Sequence, residues 1–122
     1  MHARNFLTSK VDMKNFHNER SLSSNAGQAV THDFPKFALG ATVATPGALD
    51  LLDSTGTNAS SILTRHQYGD FGSICAEDTQ SNLDAIAYGL RVFSAYDIGK
   101  VRLWVITEAD RSVTTLLLPS EY

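Results

Sequence analysis

The last third of the chain, Arg91 to Tyr122, constrains the fold most. Two near-continuous apolar runs, Val101–Thr107 and Val113–Leu118, flank a short charged knot, Glu108-Ala109-Asp110-Arg111. No other stretch gathers as much β-branched and aromatic mass in so few residues, so the rest of the chain must pack on it. The spacing predicts three strands in an antiparallel meander: Arg91–Tyr96, Val101–Thr107 and Ser112–Leu118. Asp97-Ile98-Gly99-Lys100 makes the first turn and Glu108–Arg111 the second. Pro119 ends the ladder.

Pairing Tyr96 with Val101 and Thr107 with Ser112 sorts the side chains onto two faces. One carries Val92, Ser94, Tyr96, Val101, Leu103, Val105, Thr114, Leu116 and Leu118, and it is the face expected to receive helices. The other carries Arg91, Phe93, Ala95, Arg102, Trp104, Ile106, Val113, Thr115 and Leu117. A solvated sheet face should be polar. Here Phe93, Trp104, Ile106, Val113 and Leu117 are laced with Arg91 and Arg102, the mixture in which protein interfaces are enriched. These seven residues form the candidate interaction surface. The competing expectation is that the segment 37–43 or the N-terminal arm covers it.

Upstream of the meander, three helices are expected. Thr45 as N-cap and Pro46 at the first helical position open one, which Gly56 closes. A second spans Asn58 to Gln67, capped by Thr57 or Asn58 and stopped by Gly69, with Ile62, Leu63 and His66 on one face. A third runs from Asp78, its expected cap, to Tyr88. Its buried stripe would be Leu83, Ile86, Ala87 and Leu90, with Gly89 as the stop. Between the last two, Phe71 in a glycine-flanked loop is expected to plug the core. Phe37–Val43 alternates enough to supply a fourth strand. The expected class is therefore α+β, with two or three short helices on a three-stranded antiparallel meander and a fourth strand near residues 37–43.

At 122 residues, 43% hydrophobic and 19% charged, the chain has room for one modest globular core. Residues 1–36 are polar and lack periodicity; they read as a flexible arm, with a helical turn around Val11–Phe16, preceding a single domain over 37–122. No apolar run reaches the roughly 20 residues a membrane helix needs, and the first residues lack the apolar core of a secretory signal. A single cysteine, Cys75, allows no internal disulfide and suits the cytoplasm. The arm carries a net charge of about +2 and residues 37–122 about −5, within the total of −3. An acidic body matches phosphate backbones poorly, so nucleic acid is a disfavoured partner. The first two helices form a hairpin in outline like a DNA reader, yet Arg65 is the only cation on the second. That leaves a DNA-binding accessory with a β-wing as the weakest alternative.

Candidate chemistry is sparse. Glu108, Asp110, Arg111 and Ser112 gather at a hairpin tip, where two close carboxylates could split their pKa values. The plainer expectation is a turn in which Asp110 closes its own loop and Arg111 neutralises an acid. His66 and Asp70 could join that tip in a small hydrolase-like site, although a histidine on an apolar helix face suits a satisfied core residue equally well. No HxxxH, CxxC or HExxH spacing suggests a metal, and no GxGxxG, P-loop or GxSxG suggests a cofactor or nucleophile.

Three stretches together resemble a known family. They are ATVATPGALDLL (Ala41–Leu52), RHQYGDFG (Arg65–Gly72) and the tail LRVFSAY…RLWVITEADRSVTTLLLPSEY. The resemblance is to small uncharacterised bacterial proteins carried on plasmids and integrative elements. Some members bear a type I restriction subunit label that this chain is too short to justify. The family pattern is T-P-G-A, then R-H-x-x-G-D-[WF]-G, then W-x-I-T-E-A-D-R-S-x-T-T-x-L-L-P-x-E-Y, matched over about residues 39–122. Phe71 stands where tryptophan is common, and the arm has no counterpart. The resemblance implies a mobile-element accessory protein and carries no catalytic residue. The expected function is contact with a protein partner or a second copy of the chain, without enzymatic activity.

Overall fold

The computed structural model describes residues 4–5 and 34–122. The fold is α+β: three helices on a mixed sheet. In chain order the elements are β1 (Arg4–Asn5), β2 (Ala41–Ala44), α1 (Pro46–Thr55), α2 (Ala59–Gln67), α3 (Ala76–Tyr88), β3 (Val92–Ile98), β4 (Val101–Thr107) and β5 (Val113–Leu117). A 3-10 turn, Pro119–Glu121, follows. The sheet order is β1-β2-β5-β4-β3. The reading of residues 1–36 as an arm, with its turn at Val11–Phe16, lies outside the described residues apart from Arg4–Asn5 and 34–36.

The meander forms with a tighter first turn and a wider second one than its loops suggested. β3 continues to Ile98, which pairs with Val101 across the two-residue turn Gly99-Lys100, and Tyr96 faces Leu103 instead of Val101. On the other side Thr107 faces Thr114 instead of Ser112. Both registers slip by two residues, and a slip of two returns every side chain to its expected face. The inner face holds Val92, Ser94, Tyr96, Leu103, Val105, Thr107, Thr114 and Leu116, all buried. Ala48, Leu51 and Leu52 of α1 and Ile62 and Leu63 of α2 pack on it.

The fourth strand exists but is shorter and later than Phe37–Val43. Gly40 adopts φ 69°, which breaks the extended run, and a Cβ there would overlap the carbonyl oxygens of Arg111 and Ser112. Extension resumes at Ala41, and β2 runs parallel to β5 while β1 pairs antiparallel with its other edge. The parallel pairing requires a crossover, which α1, α2, α3 and the meander provide.

Helix α1 starts and stops as its sequence requires: Thr45 accepts from the Ala48 amide, and Gly56 closes the end at φ 66°. Helix α2 is capped by the Asn58 side chain, which accepts from the Ser60 amide. Helix α3 begins two residues earlier than expected, with Cys75 rather than Asp78 at the cap and no side-chain capping bond. Glu77 and Asp78 sit in its first turn, where acids suit the positive end of the helix dipole.

The expected stripe of α3 is corrected. Its buried residues are Asn82 and Ala85, whereas Leu83 and Leu90 are 47% and 53% exposed. The cause is a two-point hydrogen bond. Asn82 Nδ2 donates to the Phe93 carbonyl at 2.6 Å, and its Oδ1 accepts from the Phe93 amide at 2.9 Å. The side-chain amide thus stands in for a neighbouring strand at the open edge of β3, and it turns the helix about its axis. Just beyond, Phe71-Gly72-Ser73 covers the same edge through bonds to Ala95. Gly72, at φ 76°, comes so close that a Cβ would overlap the Ala95 carbonyl. Phe71 is buried against Ala85 and Val92, as a plug.

Asn82→Ala strands two edge groups of Phe93, and unmade bonds of this kind cost about 1–3 kcal/mol. Urea denaturation should show that loss, with Leu83→Ala costing less even though leucine is the more apolar residue.

Candidate functional site

His66 sits where the apolar face of α2 meets the sheet, fully buried. Its Nδ1 lies 2.6 Å from Ser94 Oγ, and its Nε2 lies 2.8 Å from Thr107 Oγ1. Thr107 Oγ1 is 2.7 Å from Thr114 Oγ1, which donates to the Leu39 carbonyl at 2.7 Å. Each hydroxyl has one hydrogen, and a carbonyl only accepts, so the chain has a single direction. Thr114 spends its hydrogen on Leu39, Thr107 therefore donates to Thr114, and His66 donates to Thr107 from Nε2. Ser94 then donates to Nδ1. The tautomer follows from the network, and both ring nitrogens are committed.

Burial drives the His66 pKa from 6.5 down to about 3, with the positive charge of Arg111 adding to the effect. The edge of Phe37 meets the imidazole at 5.1 Å, and the Arg111 guanidinium stacks over Phe37 at 5.5 Å. A neutral, dry, doubly bonded histidine has no lone pair or proton left for a substrate.

The other proposed chemical residues are elsewhere engaged. Asp70 is exposed and pairs with Arg65 at 2.7 Å; that hydrogen bond holds its carboxyl below the usual range despite partial burial. Arg65 also lies over the Tyr96 ring at 4.6 Å, and the Tyr96 hydroxyl donates to the Asp70 carbonyl at 2.7 Å. Glu108 pairs with Arg91 at 3.2 Å. Asp110 accepts from the Ser112 amide and closes its own turn.

Arg111 departs from expectation, because it pairs with no acid among the described residues. At φ 61° it turns its guanidinium back onto four carbonyls, those of Ala85, Leu90, Glu108 and Ala109. A cation there suits the negative end of α3. Each of the five residues of the hydrolase-like alternative thus has partners of its own within the fold. Among the described residues no group of three His, Cys, Asp or Glu side chains could hold a metal.

The outer sheet face is the remaining candidate. Register sets Phe93, Ile106, Thr115 and Val43 in one row, Ala95, Trp104 and Leu117 in the next, and Asp97 with Arg102 in a third. Ile106 and Leu117 are buried within this chain, so they cannot serve directly as contact residues, contrary to the expected surface. Phe93, Trp104 and Val113 are half-buried, and Arg91 and Arg102 are exposed. Trp104 meets Phe93 edge-on at 5.2 Å and Tyr122 at 5.7 Å. Arg91 donates to the Tyr122 hydroxyl at 3.0 Å, and Arg102 pairs with Asp97 at 3.1 Å. What stays accessible is an aromatic strip of Phe93, Trp104 and Tyr122 between two arginines.

The strip ends in a feature the sequence reading missed. The 3-10 turn folds the tail back so that Glu121 reaches the start of α1. Its carboxylate accepts from Thr45 Oγ1, from the Gly47 amide at 2.9 Å and from the Leu118 amide at 2.9 Å. Partial burial would raise the Glu121 pKa, but these donors outweigh it and the net shift is downward. Gly47 makes room for the approach, since a Cβ would lie 2.7 Å from the carboxylate and would push it aside. The only sequence signal was a glutamate near the end and an open T-P-G helix start, about 75 residues apart. Tyr122 packs on Trp104, though it remains 63% exposed.

No family model, curated protein or solved structure matches this chain. No helix among the described residues is long and apolar enough to cross a membrane.

Acid should find His66 first. Its folded pKa lies below its unfolded one, so its contribution is whole above pH 6.5 and is lost as pH falls toward about 3. The slope is about 1.4 kcal/mol per pH unit inside that window. Urea midpoints of the native chain and of His66→Gln should therefore converge between pH 7 and pH 4.5. A constant gap would show that the histidine does not titrate with folding.

Proposed function

We propose that this protein is a non-enzymatic accessory protein of a bacterial plasmid or integrative element, acting in the cytoplasm through protein–protein contacts. The observation that carries the reading is the commitment of its reactive side chains. His66, Asp70, Glu108, Asp110 and Arg111 are all engaged within the fold, while the accessible surface keeps the aromatic strip with Arg91 and Arg102. Half-buried aromatics beside arginine suit the centre of a protein interface, where a few such residues dominate affinity. The resemblance of residues 39–122 to mobile-element proteins supports the setting. The single cysteine, Cys75, is a free thiol, in keeping with a reducing compartment.

The DNA-binding alternative loses its one cation, because Arg65 is held by Asp70 and Tyr96 instead of projecting from α2. Fluorescence anisotropy on random duplex DNA at low salt should give a flat titration, where a phosphate binder would show affinity falling steeply with salt.

For the protein-contact reading, partners captured from host lysate would be purified and titrated individually against the native chain, Trp104→Ala and Arg102→Glu. At least one partner should lose ten-fold or more in affinity with Trp104→Ala, while circular dichroism reports an unchanged fold. Equal affinities for all three chains would remove this surface from the function.

A further inference from the structure

The tail from Leu118 to Tyr122 is a strap over a receiving site, and its Glu121 and Tyr122 side chains find most of their partners outside the strap. Glu121 is held by the Thr45 hydroxyl and the Gly47 amide at the start of α1; only the Leu118 amide belongs to the strap itself. Tyr122 is received by Trp104 and Arg91, on β4 and at the entry to β3. The site is therefore more than a helix end. It combines hydrogen-bond donors for a carboxylate, a gap in which Gly47 has no side chain, an aromatic shelf and a guanidinium, spaced for adjacent Glu and Tyr residues.

Much of the strap is also open to water. Pro119 and Ser120 are exposed, and Tyr122 leaves most of its surface in water. It follows Leu118, whose backbone is extended at φ −84° and ψ 150°.

We propose that this site is an interaction surface for an acidic–aromatic carboxyl-terminal segment, and that its partner is the tail of a second copy of this chain. This deepens the protein-contact reading and rests on it. Two copies exchanging straps regain every contact made to Thr45, Gly47, Trp104 and Arg91, in the reciprocal manner of a two-fold interface. The cost is the loss of the intramolecular advantage, an effective concentration on the order of millimolar for a short tether. Exchange should thus be concentration-dependent and suppressed when the strap closes on its own chain.

Two full-length variants separate the site from its occupant. Gly47→Ala crowds out the carboxylate but keeps the tail. The double variant Glu121→Gln, Tyr122→Ala spoils the tail but keeps the site. Neither closes well on itself, yet the tail of the first fits the site of the second. Sedimentation velocity should show each alone as a monomer and an equimolar mixture forming a dimer, with Trp104 emission shifting to the blue. A mixture that stays monomeric overturns the proposal.

Thermal melts establish that both variants fold. Should either fail, the labelled peptide Leu-Pro-Ser-Glu-Tyr serves against the remaining variant and the native chain. It should bind the double variant at least ten-fold more tightly than the native chain, or the native chain at least as well as Gly47→Ala; the opposite order overturns the site. Loss of strap exchange with Trp104-dependent partner binding intact would sink this inference alone. Loss of partner binding with exchange intact would sink the broader reading alone.

Discussion

The hydrogen-bond chain through His66 ties this fold together. It begins on β3 at Ser94, passes through α2, crosses β4 at Thr107 and β5 at Thr114, and ends on the backbone of Leu39 before β2. One helix, three strands and the lead-in to a fourth are joined by groups that have no water to turn to. Buried polar groups are costly when unpaired and specific when paired. Apolar packing alone would tolerate α2 sliding or rotating on the sheet. A directed chain of single hydrogens does not, because any shift leaves a buried donor or acceptor without its mate.

Two clamps extend this order to the ends of the fold. Arg111, in its left-handed conformation, gathers carbonyls from the end of α3, from Leu90 and from its own turn, so one cation joins the β4–β5 connection to the helix before β3. Glu121 joins the end of the chain to the start of α1. Asn82 completes the pattern by satisfying the edge of β3. In each case a polar side chain serves orphaned backbone groups at an element's end or edge. Residues resembling catalytic groups in type are occupied in holding elements together, while Phe93, Trp104 and Tyr122 form a partly accessible strip.

Much of this was legible in residue order. The helix starts at Thr45-Pro46 and Asn58, the stops at Gly56 and Gly89, and the two sheet faces all follow from local chemistry and a period of two. Even the mistaken turn lengths left the faces intact, because both registers moved by two residues. The buried side of α3 was not legible. Its leucines suggested one stripe, and an asparagine bonding to the edge of β3 set another. The burial of His66 was not legible for a related reason: residue types and loop positions cannot say whether it faces a cleft or a core.

The sequence by itself determined the α+β class, the boundaries of two helices within a residue and the sorting of the meander, since capping and alternation act over a few neighbouring residues. Only the tertiary structure decided which polar residues meet. Thr45 and Glu121 stand 76 positions apart, and Thr114 and Leu39 stand 75. Such partners share no local pattern; they meet because the parallel pairing of β2 with β5 brings the lead-in to α1 beside the chain's last strand and tail.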